Sequence, residues 1–396
     1  MSPWLGLLAD VPPMPESALD SLGIGPDGGA LRMIAFTVVL VALVGLAIWA
    51  HVRFWRRRLH VPLDYDETHR LDTPDRSAIE LRRLRPSGGT AETEAFAPVL
   101  IIHGLAINER NCDVHPERSL ARHLAAAGRD VWLVTLRSGR SDHAPGERAR
   151  VRFEAMAEHD VPLAVQTIRA RTGAAAVDLC GFSMGGMLLY ATLGRSIPRD
   201  AIGRVVIFGS PARLGVPVWP LSKVRGLPDW LAPMMPYSLL CTLYAPFVDW
   251  FATPFHRVAY NPDGVRRGLT GPLMVDGMRD VPRALHREFA GWAMSDGELR
   301  VRGERVIDGL RDLDVPVCFF AGADDRLAPP RSLKPAFAAW GEARVARGEV
   351  VEKHFVTLGR AFGHGHDYGH GDMMYAERCP AEVFEPARRF LDAEPD

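Results

Sequence analysis

Short apolar runs alternate with longer amphipathic stretches from about residue 62 to the end of the chain. The runs predict β-strands, and stretches such as residues 119–128 and 153–173 predict helices between them. This alternation is typical of a mostly parallel sheet, and several runs lack polar positions, as strands covered by helices on both faces do. The predicted strands cover residues 78–84, 98–104, 130–136, 176–182, 204–209, 315–322 and 351–359.

An uncharged apolar stretch precedes this region and has a different pattern. Residues 33–50 contain no charged side chain, which is just enough length to cross the hydrocarbon core of a membrane. Trp49, Phe54 and Trp55 lie at its C-terminal edge, where interfacial aromatic residues are common. A buried core helix is the alternative, but such helices seldom lack polar positions over this length. The stretch therefore predicts a transmembrane helix over residues 33–52.

The charges on the two sides of this helix differ in sign. Residues 1–31 contain four acidic residues and no Lys or Arg, so an ordinary cleaved signal peptide with a basic start is not expected. Arg53, Arg56, Arg57 and Arg58 follow the span directly. The positive-inside rule therefore predicts a single-pass protein of a bacterial-type inner membrane, with its C-terminal domain in the cytoplasm. Residues 1–32, which are rich in Pro and Gly, are expected to form a flexible tail.

A long segment separates the predicted strands near Gly209 and Val315. At about a hundred residues it is too long for a plain connection. It is interpreted as a mainly helical cap, about residues 211–312, inserted in an α/β domain that covers residues 62–394. Large apolar side chains are frequent in it, and most of them must form the core of the cap itself. They include Trp219, Trp230, Met234, Met235, Tyr237, Tyr244, Phe247, Trp250 and Phe251.

The composition is that of an ordinary globular enzyme, with 47% hydrophobic and 24% charged residues. The formal net charge of −1 gives no reason to expect nucleic acid as a partner. The five cysteines are scattered and odd in number, so a disulfide framework or a zinc site is not expected, and a reducing compartment fits better.

Residues 181–185, Gly-Phe-Ser-Met-Gly, have the G-x-S-x-G pattern of a nucleophile elbow. The pattern follows an apolar strand and precedes a helical run, which is the context that its chemistry requires. The tight strand-to-helix turn lifts the hydroxyl group of Ser183 above the sheet, and Gly181 and Gly185 leave room for the close approach of helix and strand. Ser183 is therefore the predicted nucleophile.

A serine nucleophile needs a base, and the base needs a carboxylate that orients it. Asp324 and Asp325 follow the predicted strand at residues 315–322. Asp325 is the predicted carboxylate of the triad, and Asp324 is the alternate. The loop at residues 361–374 offers three histidines. His370 is the predicted base because a helix follows it after a short turn, and His364 is the alternate.

The same loop carries His364, His366 and His370 together with Asp367 and Asp372, a set of residues that can bind a metal ion. The loop is rich in glycine and contains no cysteine, which favours the catalytic interpretation. The predicted acyl-transfer chemistry requires neither a metal nor a cofactor.

Two backbone N–H groups are needed where negative charge develops on the substrate. Met184, which follows the nucleophile, and Leu105, which follows the strand at 98–104, are the predicted donors of this oxyanion hole. His103 is expected to brace this loop rather than to transfer protons.

Several of these segments resemble the α/β-hydrolases of the acid-lipase type, relatives of gastric and lysosomal lipases. The resemblance runs from about residue 62 to the end and is weakest in the cap. Residues 127–132 match the family's Ala-Gly-x-Asp-Val-Trp signature, and residues 98–113 are similar to its oxyanion strand and loop. Residues 370–386 are similar to its catalytic His-x-Asp segment, which further favours His370. The similar segments also include residues 64–86 and 153–173.

The chain also departs from that family. The elbow of the acid lipases is usually Gly-His-Ser-Gln-Gly, whereas this chain has Phe182 and Met184 around Ser183. A more distant similarity connects it to polyhydroxyalkanoate synthases, which carry Cys at the nucleophile position. A serine there favours hydrolysis over polymerisation.

The resemblance implies an α/β-hydrolase fold and a serine esterase or lipase that acts on an apolar, lipid-like ester. The aromatic-rich cap beside a membrane span is consistent with such a substrate. Two alternatives remain open at this point. The same triad can serve an acyltransferase with an acceptor other than water, or the chain can be a non-catalytic, membrane-tethered binding protein of the same fold.

Overall fold

The computed structural model describes residues 29–87, 96–144, 146–215, 236–251, 253 and 256–393. The chain divides into two units, Met1–Arg57 and Arg58–Asp396. Residues 1–28 of the predicted tail and residue 394 at the predicted end of the domain lie outside the described residues. So do four apolar residues of the predicted cap, namely Trp219, Trp230, Met234 and Met235.

An eight-stranded sheet forms the centre of the second unit. Its strands are β1 (Glu67–Asp72), β2 (Ala78–Leu84), β3 (Val99–Ile102), β4 (Val131–Thr135), β5 (Val177–Phe182), β6 (Ile202–Phe208), β7 (Val317–Gly322) and β8 (Lys353–Leu358). They lie in the order β1-β2-β4-β3-β5-β6-β7-β8. Strand β2 is antiparallel to both of its neighbours, and the strands from β4 to β8 pair in parallel. The predicted fold class, an α/β-hydrolase fold with a mostly parallel sheet, is confirmed.

All seven predicted strands form, and the sequence analysis missed the eighth, β1. This strand has the sequence Glu-Thr-His-Arg-Leu-Asp, and its residues alternate between half-buried and exposed. It lies at the edge of the sheet and pairs only with β2 among the described strands. A strand with one neighbour and one exposed face needs few apolar residues. Strand β1 therefore has no apolar run from which a strand could be predicted.

Helices connect the strands of the second unit, and one long helix precedes them. The α-helices of four residues or more are α1 (Gly29–Leu59), α2 (Leu120–Ala126), α3 (Val161–Thr172), α4 (Met184–Thr192), α5 (Tyr237–Tyr244), α6 (His256–Ala259), α7 (Thr270–Asp276), α8 (Arg283–Ala293), α9 (Pro330–Ala339), α10 (Glu342–Ala346) and α11 (Glu385–Asp392). Helix α3 continues a helical segment that begins at Phe153 and includes a π-helical turn at Met156–Asp160. The helices predicted over residues 119–128 and 153–173 therefore form.

Helix α1 is longer than the predicted span on both sides. It begins at Gly29, inside the predicted tail, and it ends at Leu59, seven residues beyond the predicted end at residue 52. Helix formers such as Leu and Arg fill both extensions, which gives the backbone no reason to stop at the edge of the apolar stretch. By length and composition the segment Leu31–Leu59 can cross a membrane.

The core lies on both faces of the sheet. Along β3, Leu100 and Ile102 pack into one apolar cluster, whereas Val99 and Ile101 pack into the other. Alternate side chains of a strand point to opposite faces, so a strand covered on both sides must be apolar at every position. This is why β3 and β7 read as uninterrupted apolar runs in the sequence.

The long insertion between β6 and β7 contains helices α5 to α8 and a small hairpin of Arg300–Val301 and Glu304–Arg305. It is joined to the loop that follows β3. The Arg279 N–H donates to the Ala106 carbonyl at 2.8 Å, and the Asn108 N–H donates to the Gly277 carbonyl at 3.1 Å. The insertion is thereby attached next to the loop that carries the predicted oxyanion donor Leu105.

Candidate active site

Ser183 lies at the turn between β5 and α4, with φ of 52° and ψ of −118°. A positive φ is uncommon for a residue other than glycine, and such a backbone costs about 1–3 kcal/mol unless its surroundings hold it. The Ser183 N–H donates to the Phe208 carbonyl at 2.8 Å, which fixes the turn to the end of β6. The side chain is half-buried and is thus held at a defined place at the edge of the sheet.

Both elbow glycines have a steric reason to lack a side chain. A Cβ atom at Gly181 would lie 2.6 Å from the Cα atom of Gly186, and one at Gly185 would lie 2.2 Å from the Ile102 carbonyl oxygen. Real Cβ contacts are never that short, so any larger residue would push α4 away from β3 or β5. The position of Ser183 therefore depends on these two residues.

Residues far apart in the sequence meet at the Ser183 hydroxyl group. His370 Nε2 lies 2.9 Å from Ser183 Oγ, and His370 Nδ1 lies 2.8 Å from Asp325 Oδ2. A carboxylate can only accept, so Nδ1 carries the hydrogen and Nε2 is free to accept from the serine hydroxyl. The imidazole is therefore oriented by one neighbour and directed at the other.

The Asp325 carboxylate is itself held in place. Its Oδ1 atom accepts hydrogen bonds from the N–H groups of Leu327 at 2.9 Å and Ala328 at 2.7 Å. Its side chain is buried, and Oδ2 remains for His370.

The two alternate residues lie elsewhere. Asp324 faces Arg257 and Arg326, with N–O distances of 3.5 Å to each. His364 Nδ1 lies 3.2 Å from the Gly359 carbonyl oxygen, at the start of its own loop. Neither side chain has a contact with Ser183 among the described residues.

A second histidine–aspartate pair lies in the loop of His370. His366 Nε2 is 3.3 Å from Asp372 Oδ2, and both side chains are buried. Asp372 also accepts from the Asn261 N–H at 2.9 Å and the Gly369 N–H at 3.1 Å. It thus fastens the residue before His370 to the insertion. From the sequence, these two residues were considered only as possible metal ligands. The described residues contain no group of side chains that could hold a metal ion.

The loop after β3 passes close to Ser183. A Cβ atom at Gly104 would lie 3.2 Å from the Cβ atom of Ser183, so this backbone borders the hydroxyl group directly. Leu105 follows, and Ala106 has a positive φ of 60°. Met184 is the first residue of α4 and is fully buried. In the described part of the chain, neither the Leu105 nor the Met184 N–H has a protein acceptor.

His103 braces this loop. Its Nε2 atom accepts from the Leu136 N–H at 3.1 Å, and its Nδ1–H donates to the Gly104 carbonyl at 2.8 Å. Complete burial lowers the pKa of His103 to about 4, since the charged form would lose its hydration. The ring therefore stays neutral near pH 7 and serves the backbone, as the sequence analysis expected.

Comparison with known proteins places the chain in a family. The model of the family described as serine aminopeptidase, S33, matches residues 93–350. The chain belongs to this family of α/β-hydrolases. The match includes Ser183 and Asp325 and ends before the loop that carries His370.

Solved structures of esterases share the fold. The esterase RhEst1 from Rhodococcus sp. ECU1013 covers 82% of this chain and 98% of its own, with 17% identity and a TM-score of 0.53. The esterase EaEST from Exiguobacterium antarcticum covers 82% of this chain and 99% of its own, with 15% identity and a TM-score of 0.51. At these identities the likeness extends to the fold alone.

Curated relatives are lipases and polymerases. A probable lipase of Schizosaccharomyces pombe is 30% identical over 141 residues, 33% of this chain and 31% of that protein. A poly(3-hydroxyalkanoate) polymerase subunit of Haloarcula marismortui is 23% identical over 263 residues, 62% of this chain and 53% of that protein. This chain thus spans about a third to a half of these relatives. Together the comparisons identify an α/β-hydrolase that is similar in fold to esterases and in part of its sequence to a lipase.

Proposed function

We propose that this protein is a serine hydrolase that cleaves carboxylic esters of apolar acyl groups, with Ser183, His370 and Asp325 as its catalytic triad. The observation that carries the proposal is the imidazole of His370, which lies within hydrogen-bond distance of both Ser183 Oγ and Asp325 Oδ2. A nucleophile, a base and an orienting carboxylate in contact are what acyl transfer requires.

The first chemical step is attack on the ester. Ser183 Oγ forms a bond to the carbonyl carbon while His370 Nε2 takes the hydroxyl proton. Collapse of the tetrahedral intermediate breaks the bond to the alcohol oxygen, and the imidazolium returns its proton to that oxygen. The acyl group remains on Ser183 until water, activated by the same imidazole, releases it as a carboxylic acid.

Asp325 acts through His370. It holds the ring in the tautomer whose Nε2 can accept a proton, and its charge stabilises the imidazolium that forms in each step. Its own position is set by the two N–H groups that bind Oδ1. The carboxylate can therefore hold the imidazole without reorganising as charge moves.

The negative charge on the former carbonyl oxygen needs donors that are already in place. The N–H groups of Leu105 and Met184 are proposed for this role because they flank Ser183 and have no protein acceptor among the described residues. His103 supports the Leu105 side through its hydrogen bond to Gly104.

The proposal also includes the orientation of the protein in a membrane. Residues 33–52 of α1 are proposed to span it, with the arginines that follow and the hydrolase domain on the cytoplasmic side. The insertion at about residues 211–312 is proposed to form a cap over the site. Protease treatment of spheroplasts that carry a C-terminal tag tests the orientation, and the tag is expected to survive until the membrane is permeabilised.

A fluorophosphonate probe and a chain-length series of p-nitrophenyl esters test the chemistry. Wild type is expected to be labelled and to prefer longer acyl chains, and Ser183→Ala is expected to lose both labelling and turnover. An aminoacyl p-nitroanilide is the matched amide substrate. Faster turnover of the amide than of any ester would contradict the ester proposal, and absence of labelling in folded protein would favour a non-catalytic binding protein.

The second candidate is an acyltransferase with the same triad. It is favoured by the similarity to the poly(3-hydroxyalkanoate) polymerase subunit of Haloarcula marismortui, which extends over 62% of this chain. The acyl-enzyme would then pass its acyl group to an alcohol or thiol instead of water. Product analysis with an added acceptor separates the two, since a transferase forms the new ester faster than the free acid.

A further inference from the structure

The insertion exposes large apolar side chains to solvent on helix α5 and on the turn that follows it. Trp250 is 74% exposed and Phe251 is 63% exposed. Leu239 and Leu240 on α5 are exposed as well. A soluble surface rarely presents large apolar groups together, and such patches usually contact a partner or a membrane.

These side chains belong to one packed unit. Helix α5 and the turn at Ala245–Phe247 pack against α7. The Tyr244 hydroxyl group donates to the Phe251 carbonyl at 2.6 Å, and the Gly268 N–H donates to Asp249 Oδ2 at 2.7 Å. The turn that carries Trp250 and Phe251 is therefore fixed to the insertion by hydrogen bonds on both sides.

The same helix α7 holds the end of α1. A Cβ atom at Gly271 would lie 3.5 Å from Leu59 Cδ1, and also 3.3 Å from the Ala245 carbonyl oxygen. His60 Nδ1 lies 2.9 Å from Asp276 Oδ1, and the Val61 N–H donates to Asp276 Oδ2 at 3.0 Å. The chain thus leaves α1 and is attached at once to the helix that supports the exposed apolar group.

Chain length limits how far this unit can be from a membrane. The uncharged stretch ends at Ala50, and Leu59 follows nine residues later in the same helix. Nine helical residues extend only about 14 Å. If the stretch spans a bilayer, α7 is held within a short distance of the lipid headgroups.

The chemistry of the exposed group matches that boundary. The guanidinium carbon of Arg267 lies 5.7 Å from the centroid of the Trp250 ring, and Arg267 is itself exposed. Trp is enriched at the level of the headgroups, and Arg is attracted to the phosphates of anionic lipids. An aromatic residue paired with a cation is therefore better suited to a lipid surface than to a second apolar protein surface.

We propose that Leu239, Leu240, Trp250, Phe251 and Arg267 form a bilayer-docking face, which rests on the membrane that α1 spans. Trp250 and Phe251 enter the headgroup region, and Arg267 binds lipid phosphate. The inference rests on the proposed membrane span and deepens the proposed function, because a docked insertion can receive an apolar ester directly from the lipid.

The test measures contact with lipid and needs no enzymatic turnover. The full-length protein is reconstituted in vesicles of phosphatidylcholine and phosphatidylglycerol whose acyl chains are brominated near the glycerol, where they quench tryptophan emission on contact. The Trp250→Phe variant is expected to lose part of the quenchable emission of wild type. Trp292→Phe is the matched control, since Trp292 packs against Phe153 and is expected to contribute none.

Each outcome has a defined meaning. Equal quenching of wild type and Trp250→Phe would overturn the docking face. Shielding of Trp250 from both brominated lipid and aqueous iodide would also overturn it, in favour of a second copy of the chain. Trp49 and Trp55 report the span separately, because their quenching should persist in Trp250→Phe. Ser183→Ala gives the same quenching whether or not the proposed hydrolase activity holds.

Discussion

His366 and His370 lie in one short loop, and each has one ring nitrogen next to an aspartate. The two pairs differ in what the other ring nitrogen of the histidine contacts. His370 uses Nδ1 for Asp325 and directs Nε2 at Ser183. His366 uses Nε2 for Asp372, and its ring lies against Tyr368 with centroids 3.8 Å apart. Residue type and burial are therefore nearly the same, whereas the surroundings are not.

The comparison separates the pair that we propose to be reactive from one that holds the loop in place. Both carboxylates accept two backbone N–H groups in addition to a histidine. Only the pair with a hydroxyl group on the far nitrogen can transfer a proton to a substrate. The other pair fastens the loop to the insertion and thereby positions the first.

Replacement of the two histidines is expected to give the largest contrast. His370→Ala removes the general base, and kcat for a soluble p-nitrophenyl ester should fall by about 10⁴–10⁶-fold. His366→Ala should leave kcat within about ten-fold of wild type once the folded fraction is taken into account. A loss in His366→Ala or His364→Ala as large as that in His370→Ala would show that the base is assigned wrongly.

The two adjacent aspartates sharpen the same comparison. Asp325→Asn keeps the shape but loses the charge that orients and stabilises the imidazole, so kcat should fall by about 10³–10⁴-fold. Asp324→Asn removes only partly exposed ion pairs with Arg257 and Arg326 and should change kcat by less than about two-fold. Steady-state kinetics at pH 8 measures both, and similar losses in the two variants would argue against Asp325 as the triad carboxylate.

Asp372 is expected to matter for stability more than for chemistry. Asp372→Ala leaves the buried His366 and two backbone N–H groups without their acceptor, which should lower the free energy of unfolding by about 3–5 kcal/mol. Denaturation by urea measures this, with Asp324→Ala as a control that should lose less than about 1 kcal/mol. An unchanged urea midpoint in Asp372→Ala would show that Asp372 does not hold the loop to the insertion.

His103 is expected to have the smallest effect, which is a change in the free energy of unfolding with pH. Its folded pKa of about 4 lies below the ordinary value of 6.5, so protons bind the unfolded chain first. The contribution to stability is present above pH 6.5 and is lost as the pH falls towards 4. Between pH 7 and pH 5 the loss is about 2 kcal/mol. Urea unfolding of wild type and His103→Gln should show this difference, and parallel pH curves would contradict it.

Much of the fold could be predicted because the central strands are buried on both faces. Such strands need mostly apolar runs, as β3 and β7 show, and all seven predicted strands form. Strand β1 alternates between half-buried and exposed positions, but most of its residues are polar. The hydrophobic pattern of the sequence therefore did not predict it. The extension of α1 to Leu59 was missed for a similar reason, because the end of an apolar stretch was interpreted as the end of a helix.

The candidate site was predictable to different degrees. Ser183 stands in a local pattern, and the glycines around it are explained by contacts within the same turn and with β3. Asp325 and His370 lie 142 and 187 residues further along, so local patterns could only narrow each to a pair of candidates. The role of Asp372 could not be found at all, because its partner Asn261 lies in the insertion.

The sequence by itself determined the strand and helix order, the position of the nucleophile turn and the presence of a helix apolar enough to span a membrane. These properties depend on periodicity, glycine spacing and side-chain polarity, which are written in consecutive residues. Only the tertiary structure decided which histidine meets Ser183, which aspartate meets that histidine, and which pair serves the loop. Such choices depend on distances between segments that the sheet brings together, and distance is not encoded in any single segment.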